Sequence, residues 1–231
     1  FIKTNILGAQ NIVETCLDTN VKKVIALSTD KAAAPINLYG ATKLCSDKLF
    51  AAGNNLKGKR KISFSMVRYG NVLGSRGSIL KEFIKQSKKG KINITDKSMT
   101  RFNISLNDAI EMVEWSLKKA IGGEIFVPKL KSFKVIDFAR AVCPSCKLIT
   151  IGVRPGEKIH EELVTSSDSF YTFDVGKYYA IVTPSDEKIY LKYKNNKKFK
   201  KFKLGSSFNS ANTKFLSIKE LKKIISNYKY Y

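Results

Sequence analysis

The first 69 residues alternate between two hydrophobic periods, and that alternation limits the fold more than anything else in the chain. From Asn5 to Thr19 the apolar positions Ile6, Leu7, Ala9, Ile12, Val13, Cys16 and Leu17 follow a helical period. Val21 to Thr29 holds the unbroken run Val24-Ile25-Ala26-Leu27, which predicts a short buried strand. A second helix is predicted from Asn37 to about Ala52. Ile62 to Tyr69 alternates Ile62, Phe64 and Met66 with polar neighbours and reads as a strand. Helix, strand, helix, strand with short links calls for a parallel α/β sheet.

Past Gly70 the pattern changes. Ser78 to Lys89 and Asn107 to Ala120 read as helices, with Asn107 as an N-cap. Short strands are predicted at Ile92–Thr95 and Glu124–Val127. Val135 to Cys143 reads as a helix stopped before Pro144. Lys147 to Val153 is a predicted strand leading into Arg154-Pro155-Gly156, then a short helix from Glu157 to Val164 that carries His160. Tyr178 to Thr183 reads as a strand. Asp186 to Tyr231 is the most basic stretch, with 13 Lys against 3 acids. Its middle, Asn195 to Lys203, reads as a loop. Ser217 to Tyr228 regains a helical period, with Ser217 and Glu220 placed for a capping box.

With 231 residues and 43% apolar content, the chain can bury a core of one domain or two small ones. No apolar run approaches the ~20 residues that cross a bilayer. The chain opens at Phe1 without a Met and reads as a fragment. Cys143-Pro-Ser-Cys146 has a spacing that can hold zinc or run redox chemistry. There is no second such pair and His160 is the single histidine. Ordinary reduced thiols and no metal are therefore expected, in a cytoplasmic protein. The net charge of +23 raises nucleic-acid binding. Only 6 of the 42 basic residues are Arg, the usual reader of bases, so no nucleic-acid partner is expected.

Chemistry concentrates in Ser28-Thr29-Asp30-Lys31 and in Tyr39-Gly40-Ala41-Thr42-Lys43. Tyr39 and Lys43 stand four apart and share a helix face. An ammonium beside a phenol favours the phenolate and draws its pKa down from ~10. Tyr39 is then a candidate general base for an alcohol proton. Ser28, Thr29 and Asp30 end a predicted strand, where ligands bind in open α/β sheets. The plainer alternative is a helix with a half-buried Tyr and a surface Lys.

The segment from Ser28 to Lys43 resembles the active site of extended short-chain dehydrogenases. It is most similar to the inverting UDP-N-acetylglucosamine 4,6-dehydratases of pseudaminic acid biosynthesis. The resemblance runs on through Val67-Arg-Tyr-Gly-Asn-Val-Leu-Gly-Ser-Arg-Gly77, Met99-Thr-Arg-Phe102, Gly152-Val-Arg-Pro-Gly-Glu-Lys-Ile-His-Glu-Glu162 and Asn212-Thr-Lys-Phe-Leu-Ser217, while Asp186 to Phe208 matches poorly. It implies an α/β fold: the C-terminal half of a Rossmann-type parallel sheet plus a smaller α/β substrate-binding domain. Residues 1–74 would hold the active site and 75–185 the substrate-binding region, interleaved with the first; 186–231 would form a basic tail ending in a helix. The family's glycine-rich turn would lie in roughly a hundred residues upstream, leaving this segment inactive by itself.

The resemblance also implies roles. Tyr39 takes the C4 hydroxyl proton of the sugar, helped by Lys43, and Thr29 hydrogen-bonds the C4 oxygen. Lys31 is the base for C5 and is expected to be buried and neutral. Asp30, held protonated, is the acid for the leaving C6 hydroxyl. Tyr39, Lys43 and Val72 would meet the cofactor, NADP or alternatively NAD. Arg154 would grip the UDP diphosphate, with Asn71, Thr95, Arg101 and Glu157 as further substrate ligands. Partners would be a UDP-sugar and further copies of the chain, in nucleotide-sugar synthesis for surface glycans or flagellin. Two alternatives stand beside this: a nucleotide-sugar epimerase on the same scaffold, and a non-catalytic basic binding protein.

Overall fold

The computed structural model describes residues 1–75, 77–182 and 187–227. A π-helical turn, Ile2–Leu7, runs into α1 (Gly8–Leu17). Then come β1 (Lys23–Thr29), α2 (Leu38–Leu56), β2 (Ser63–Tyr69) and β3 (Asn71–Val72). Next are α3 (Ile79–Ser87), β4 (Lys91–Ile94), β5 (Thr100–Ile104), α4 (Leu106–Lys119), β6 (Glu124–Pro128) and β7 (Ser132–Lys134). α5 (Val135–Val142), β8 (Lys147–Thr150), β9 (Glu162–Val164), β10 (Thr172–Asp174) and β11 (Tyr178–Val182) follow. The chain closes with α6 (Glu187–Lys194), β12 (Lys200–Lys201), β13 (Phe208–Asn209) and α7 (Ile218–Ser226). Arg76, Thr183, Asp186, Tyr228 and Tyr231, named in the sequence reading, lie outside the described residues.

Two compact units form, each from three segments: Phe1–Tyr69, Asn107–Lys129 and Glu162–Phe208 in the first; Gly70–Leu106, Leu130–Glu161 and Asn209 onward in the second. The boundary falls after Tyr69 rather than at residue 74. The stretch read as one basic tail is divided at Phe208 between the two units.

The first unit is built on a sheet of order β1-β2-β6-β11-β10-β12. β1 and β2 are parallel from Lys23↔Ser63 to Thr29↔Tyr69, and β2 pairs parallel with β6. The predicted parallel sheet is thus present in β1, β2 and β6, and from β6 outward it is extended by antiparallel strands. For β10 and β11 the reason is local: only three residues join them, and so short a link can connect only antiparallel neighbours. One face of the sheet packs Val67, Met112, Phe126 and Tyr178 in a core. Trp115 meets Phe126 and Tyr178 with ring centroids 5.1 and 4.7 Å away. α6, unpredicted within a lysine-rich run, is held by Ile189 and Tyr193, four apart and both buried. The Tyr193 hydroxyl donates to Glu124 Oε1 at 3.0 Å. Burial and this carboxylate push the Tyr193 phenol far above its usual range. Glu124 also accepts from Ser65 Oγ and the amides of Ile121 and Gly122, so a fully buried carboxylate is satisfied.

The second unit holds the β3-β5-β7 sheet, the parallel pair β4-β8, and helices α3, α5 and α7. Its core gathers Leu80, Phe83, Ile92, Met99, Phe133, Phe138 and Leu221. Three local expectations fail here or at its borders. α4 starts at Leu106, so Asn107 lies in its first turn instead of capping it. No helix forms over Glu157 to Val164: Gly156 turns the chain at φ 78°, and the Ile159 carbonyl is taken by the Thr100 amide. His160 therefore lies at a bend before β9, with Nδ1 2.8 Å from Thr100 Oγ1. Finally, Cys143 and Cys146 are joined as a disulfide, not left as free thiols. The turn after α5 brings their Cα atoms to 5.4 Å, within bridging range.

Candidate active site

β1 ends by delivering Ser28 and Thr29 to the edge of the sheet, and a 3-10 turn, Asp30–Ala32, follows at once. Thr29 caps this turn by accepting from the Lys31 amide. Asp30 is 1% exposed. Its Oδ1 accepts from Thr29 Oγ1 at 2.9 Å and from Lys31 Nζ at 3.1 Å. Its Oδ2 is buried with no hydrogen-bond partner among the described residues. The Lys31 side chain is 32% exposed and ion-paired with Asp30, instead of deeply buried as its assignment as a neutral base suggested. The ammonium gains the carboxylate without losing all its water, which is the cheaper arrangement for two charges.

α2 brings the phenol to the same turn. Asn37 caps the helix, accepting from the Gly40 amide at 2.8 Å, and Tyr39 stands half-buried in the first turn. Gly40 lies so close to the preceding turn that a Cβ built there would be 2.3 Å from the Lys31 carbonyl oxygen. Only a residue without a side chain permits that approach. One turn on, Lys43 Nζ donates to the carbonyl of Leu27, on β1, at 2.6 Å. The Phe1 ring meets Tyr39 edge-on at 5.5 Å. Asp30, Lys31, Tyr39 and Lys43 are thus all placed at the end of β1 or on the helix face packed against it.

Behind the turn runs a buried polar chain that the sequence reading did not single out. Ser28 Oγ donates to Asp47 Oδ2 at 2.7 Å, and Asp47 pairs with Arg68 at 3.5 Å. Arg68, 3% exposed, also reaches Asp168 at 3.2 Å and the Leu163 carbonyl. Burial raises the Asp47 pKa, opposed by the Arg68 guanidinium and the Ser28 hydroxyl. Two weak signals were present in the sequence: Asp47 follows Lys43 by four on α2, and Arg68 is the one charged residue within β2. Asp47, Arg68 and Asp168 line a cleft of about 600 Å³ floored by Ala33, Met66 and Ile125.

The remaining candidates belong to the second unit. Asn71 is exposed and Val72 partly buried on β3. Thr95 is partly buried just after β4. Arg154 is exposed and opens a turn closed by the Glu157 amide on its carbonyl. Arg101 is buried, and its guanidinium is engaged with the carbonyls of Thr100 and Ile159 and with Glu157 and Glu161. That bonding ties β5 to the 157–161 segment, a structural task in addition to the substrate role read from the sequence. No group of three or more His, Cys, Asp or Glu able to hold a metal occurs among the described residues.

A family model described as "Polysaccharide biosynthesis protein" matches residues 1–183. The chain is 47% identical over 237 residues to a UDP-N-acetylglucosamine 4,6-dehydratase (inverting) of Campylobacter jejuni subsp. jejuni serotype O:2, covering 98% of this chain and 70% of that protein. It is 38% identical over 234 residues to a UDP-glucose 4-epimerase of Rickettsia felis, covering 99% of this chain and 68% of the relative. Among solved structures it matches Pen from Bacillus thuringiensis with TM-score 0.86 and 34% identity, over 98% of this chain and 69% of that one.

Proposed function

The chain belongs to the polysaccharide biosynthesis protein family, and we propose that it catalyses the 4,6-dehydration of UDP-N-acetylglucosamine with inversion at C5. The observation that carries this reading is the Asp30–Lys31 pair, an acid and an amine in contact at the end of β1. The turn that holds the pair is packed against the helix bearing Tyr39 and Lys43.

Tyr39 takes the proton of the C4 hydroxyl, and Thr29 and Lys43 position the C4 oxygen and the phenol. An ammonium has three donors and Leu27 takes one, so Lys43 retains donors for the ribose of a nicotinamide cofactor. That donor would suit the ribose of NADP or of NAD, and Val72 is a further residue assigned to the cofactor; when bound, it would supply hydride acceptance from C4 and return to C6. With a keto group at C4, the C5 proton is acidic. Lys31 removes it, Asp30 protonates the departing C6 hydroxyl, and water leaves. A solvent-derived proton delivered to C5 from the other face gives the inverted sugar, and the proton held by Lys31 is released to solvent.

The resting pair already holds the proton this needs. Passing one proton from Lys31 to Asp30 turns the ion pair into a neutral amine and a neutral acid. A sugar that displaces water from the pair penalises the charged form and favours that transfer. In the second unit, Arg154 holds the diphosphate as a guanidinium fork. Asn71, Thr95, Arg101 and Glu157 contact the sugar and uridine. The enzyme works in the cytoplasm as a homo-oligomer, supplying sugars for surface glycans or flagellin through the pseudaminic acid route.

The test uses the protein as its gene encodes it, with UDP-N-acetylglucosamine and NADP. A 4-keto-6-deoxy product is expected. Lys31→Met should cut its formation by about 10²–10⁴ and abolish solvent deuterium uptake at C5, while Tyr39→Phe should also block C4 oxidation. An epimer that keeps its C6 hydroxyl would instead establish the 4-epimerase reading, which the Rickettsia relatives favour. Residues 1–231 alone should not turn over. No glycine-rich turn after a first strand lies among the described residues to cradle cofactor phosphates. Tight NADP binding by this segment would overturn that statement.

A further inference from the structure

The most basic part of the first unit is a built surface. Between Glu187 and Leu204 stand eight lysines: Lys188, Lys192, Lys194, Lys197, Lys198, Lys200, Lys201 and Lys203. All eight are exposed, and the run contains one acid, Glu187, and no Arg. The scaffold beneath is fixed. α6 is anchored through Ile189 and Tyr193, and β12 is the edge strand of the six-stranded sheet, paired to β10. Lys201 lies over the rings of Phe173 and Tyr190 at 4.2 and 5.2 Å, which joins the β12 and α6 lysines in one patch.

Large apolar side chains break the surface in the same place. Leu191 and Leu204 are 39% and 58% exposed, and Phe170 and Tyr171 are 50% and 38% exposed. Phe170 and Tyr171 belong to the short 3-10 turn Asp168–Tyr171. That turn is tied to the basic segment by the Gly205 amide on Ser169 Oγ and by the Tyr171–Tyr190 ring contact.

From this combination we propose that the α6–β12 surface docks the protein on the headgroup layer of an acidic phospholipid bilayer. Lysine is a strongly hydrated point charge that suits diffuse attraction to anionic lipid. Exposed Leu, Phe and Tyr among those charges can enter the boundary between headgroups and acyl chains. Nucleic acid fits less well, because the segment has no Arg to grip phosphates or bases in a fork. No helix among the described residues is long and apolar enough to cross a membrane, so the contact proposed is with the surface.

The 231-residue chain is sedimented with phosphatidylcholine vesicles, with and without about a third phosphatidylserine. Binding to the acidic vesicles alone is expected, falling steeply with salt. Lys192→Gln, Lys198→Gln and Lys200→Gln together should weaken it about a hundredfold, at about fivefold per lysine. The same change at Lys88, Lys89 and Lys97, exposed in the second unit, should leave it within a few-fold. Leu191→Ser with Leu204→Ser should remove the part of binding that resists salt. Equal loss in both lysine triples would reduce the effect to overall charge and overturn the proposal. So would equal binding to neutral vesicles, or preference for a DNA duplex offered in competition.

Discussion

Asp30 holds its two carboxyl oxygens in different states: one accepts from Thr29 and Lys31, and the other is buried without a donor among the described residues. An oxygen kept that way costs stability. Gly40 is the residue that lets this arrangement exist. Gly40→Ala is expected to destabilise the first unit by about 1–3 kcal/mol, because the methyl must push the Lys31 carbonyl away. Turnover should fall by about 10²-fold as the acid and base shift relative to Tyr39. Thermal melts and turnover check both; an alanine variant with unchanged melting and rate would show that the turn yields freely. The chemical residues were readable because Asp30–Lys31 and Tyr39–Lys43 sit at fixed spacings along a strand end and a helix face. Asp47, Arg68 and Asp168 were not, since their meeting is made by the sheet across as many as 121 positions of chain.

The elements were legible where one local signal dominated. Ser217 and Glu220 form the capping box of α7 that their spacing predicted. Glu220 is drawn down to about 2, first by the Ser217 amide, then by Lys131 and the Ser217 hydroxyl. A carboxyl whose folded value lies below its ordinary 4.5 contributes stability that is complete above 4.5 and is lost as pH falls toward 2. Amide protection in α7 should therefore decline across that window, and Glu220→Gln should flatten the decline while lowering protection at neutral pH. The same slope in both forms would assign the loss to other carboxylates. Elements were misread where partners outweighed periodicity. Glu157 to Val164 had a plausible helical pattern, yet Thr100 and Arg101 claim the backbone carbonyl of Ile159. α6 was masked by its lysines, although Ile189 and Tyr193 were correctly spaced to bury one narrow stripe.

At the scale of the whole molecule the excess of 23 positive charges sets the response to salt. Like charges repel across the compact state, and ions screen them. The melting temperature should rise by a few degrees between about 0.05 and 0.5 M salt; a fall would mean that surface pairs such as Lys177–Glu111 outweigh the repulsion. The sequence by itself determined the α/β class, the strand-end and helix-face motif and the capping of α7, because each depends on residues within a few positions of one another. Tertiary structure alone decided the antiparallel extension of the sheet, the division of the basic stretch between two units, the Asp30–Lys31 ion pair and the Ser28–Asp47–Arg68–Asp168 chain, buried up to its partly exposed end at Asp168. These depend on which distant groups compete for the same donors, acceptors and buried space, and no spacing along the chain encodes that competition.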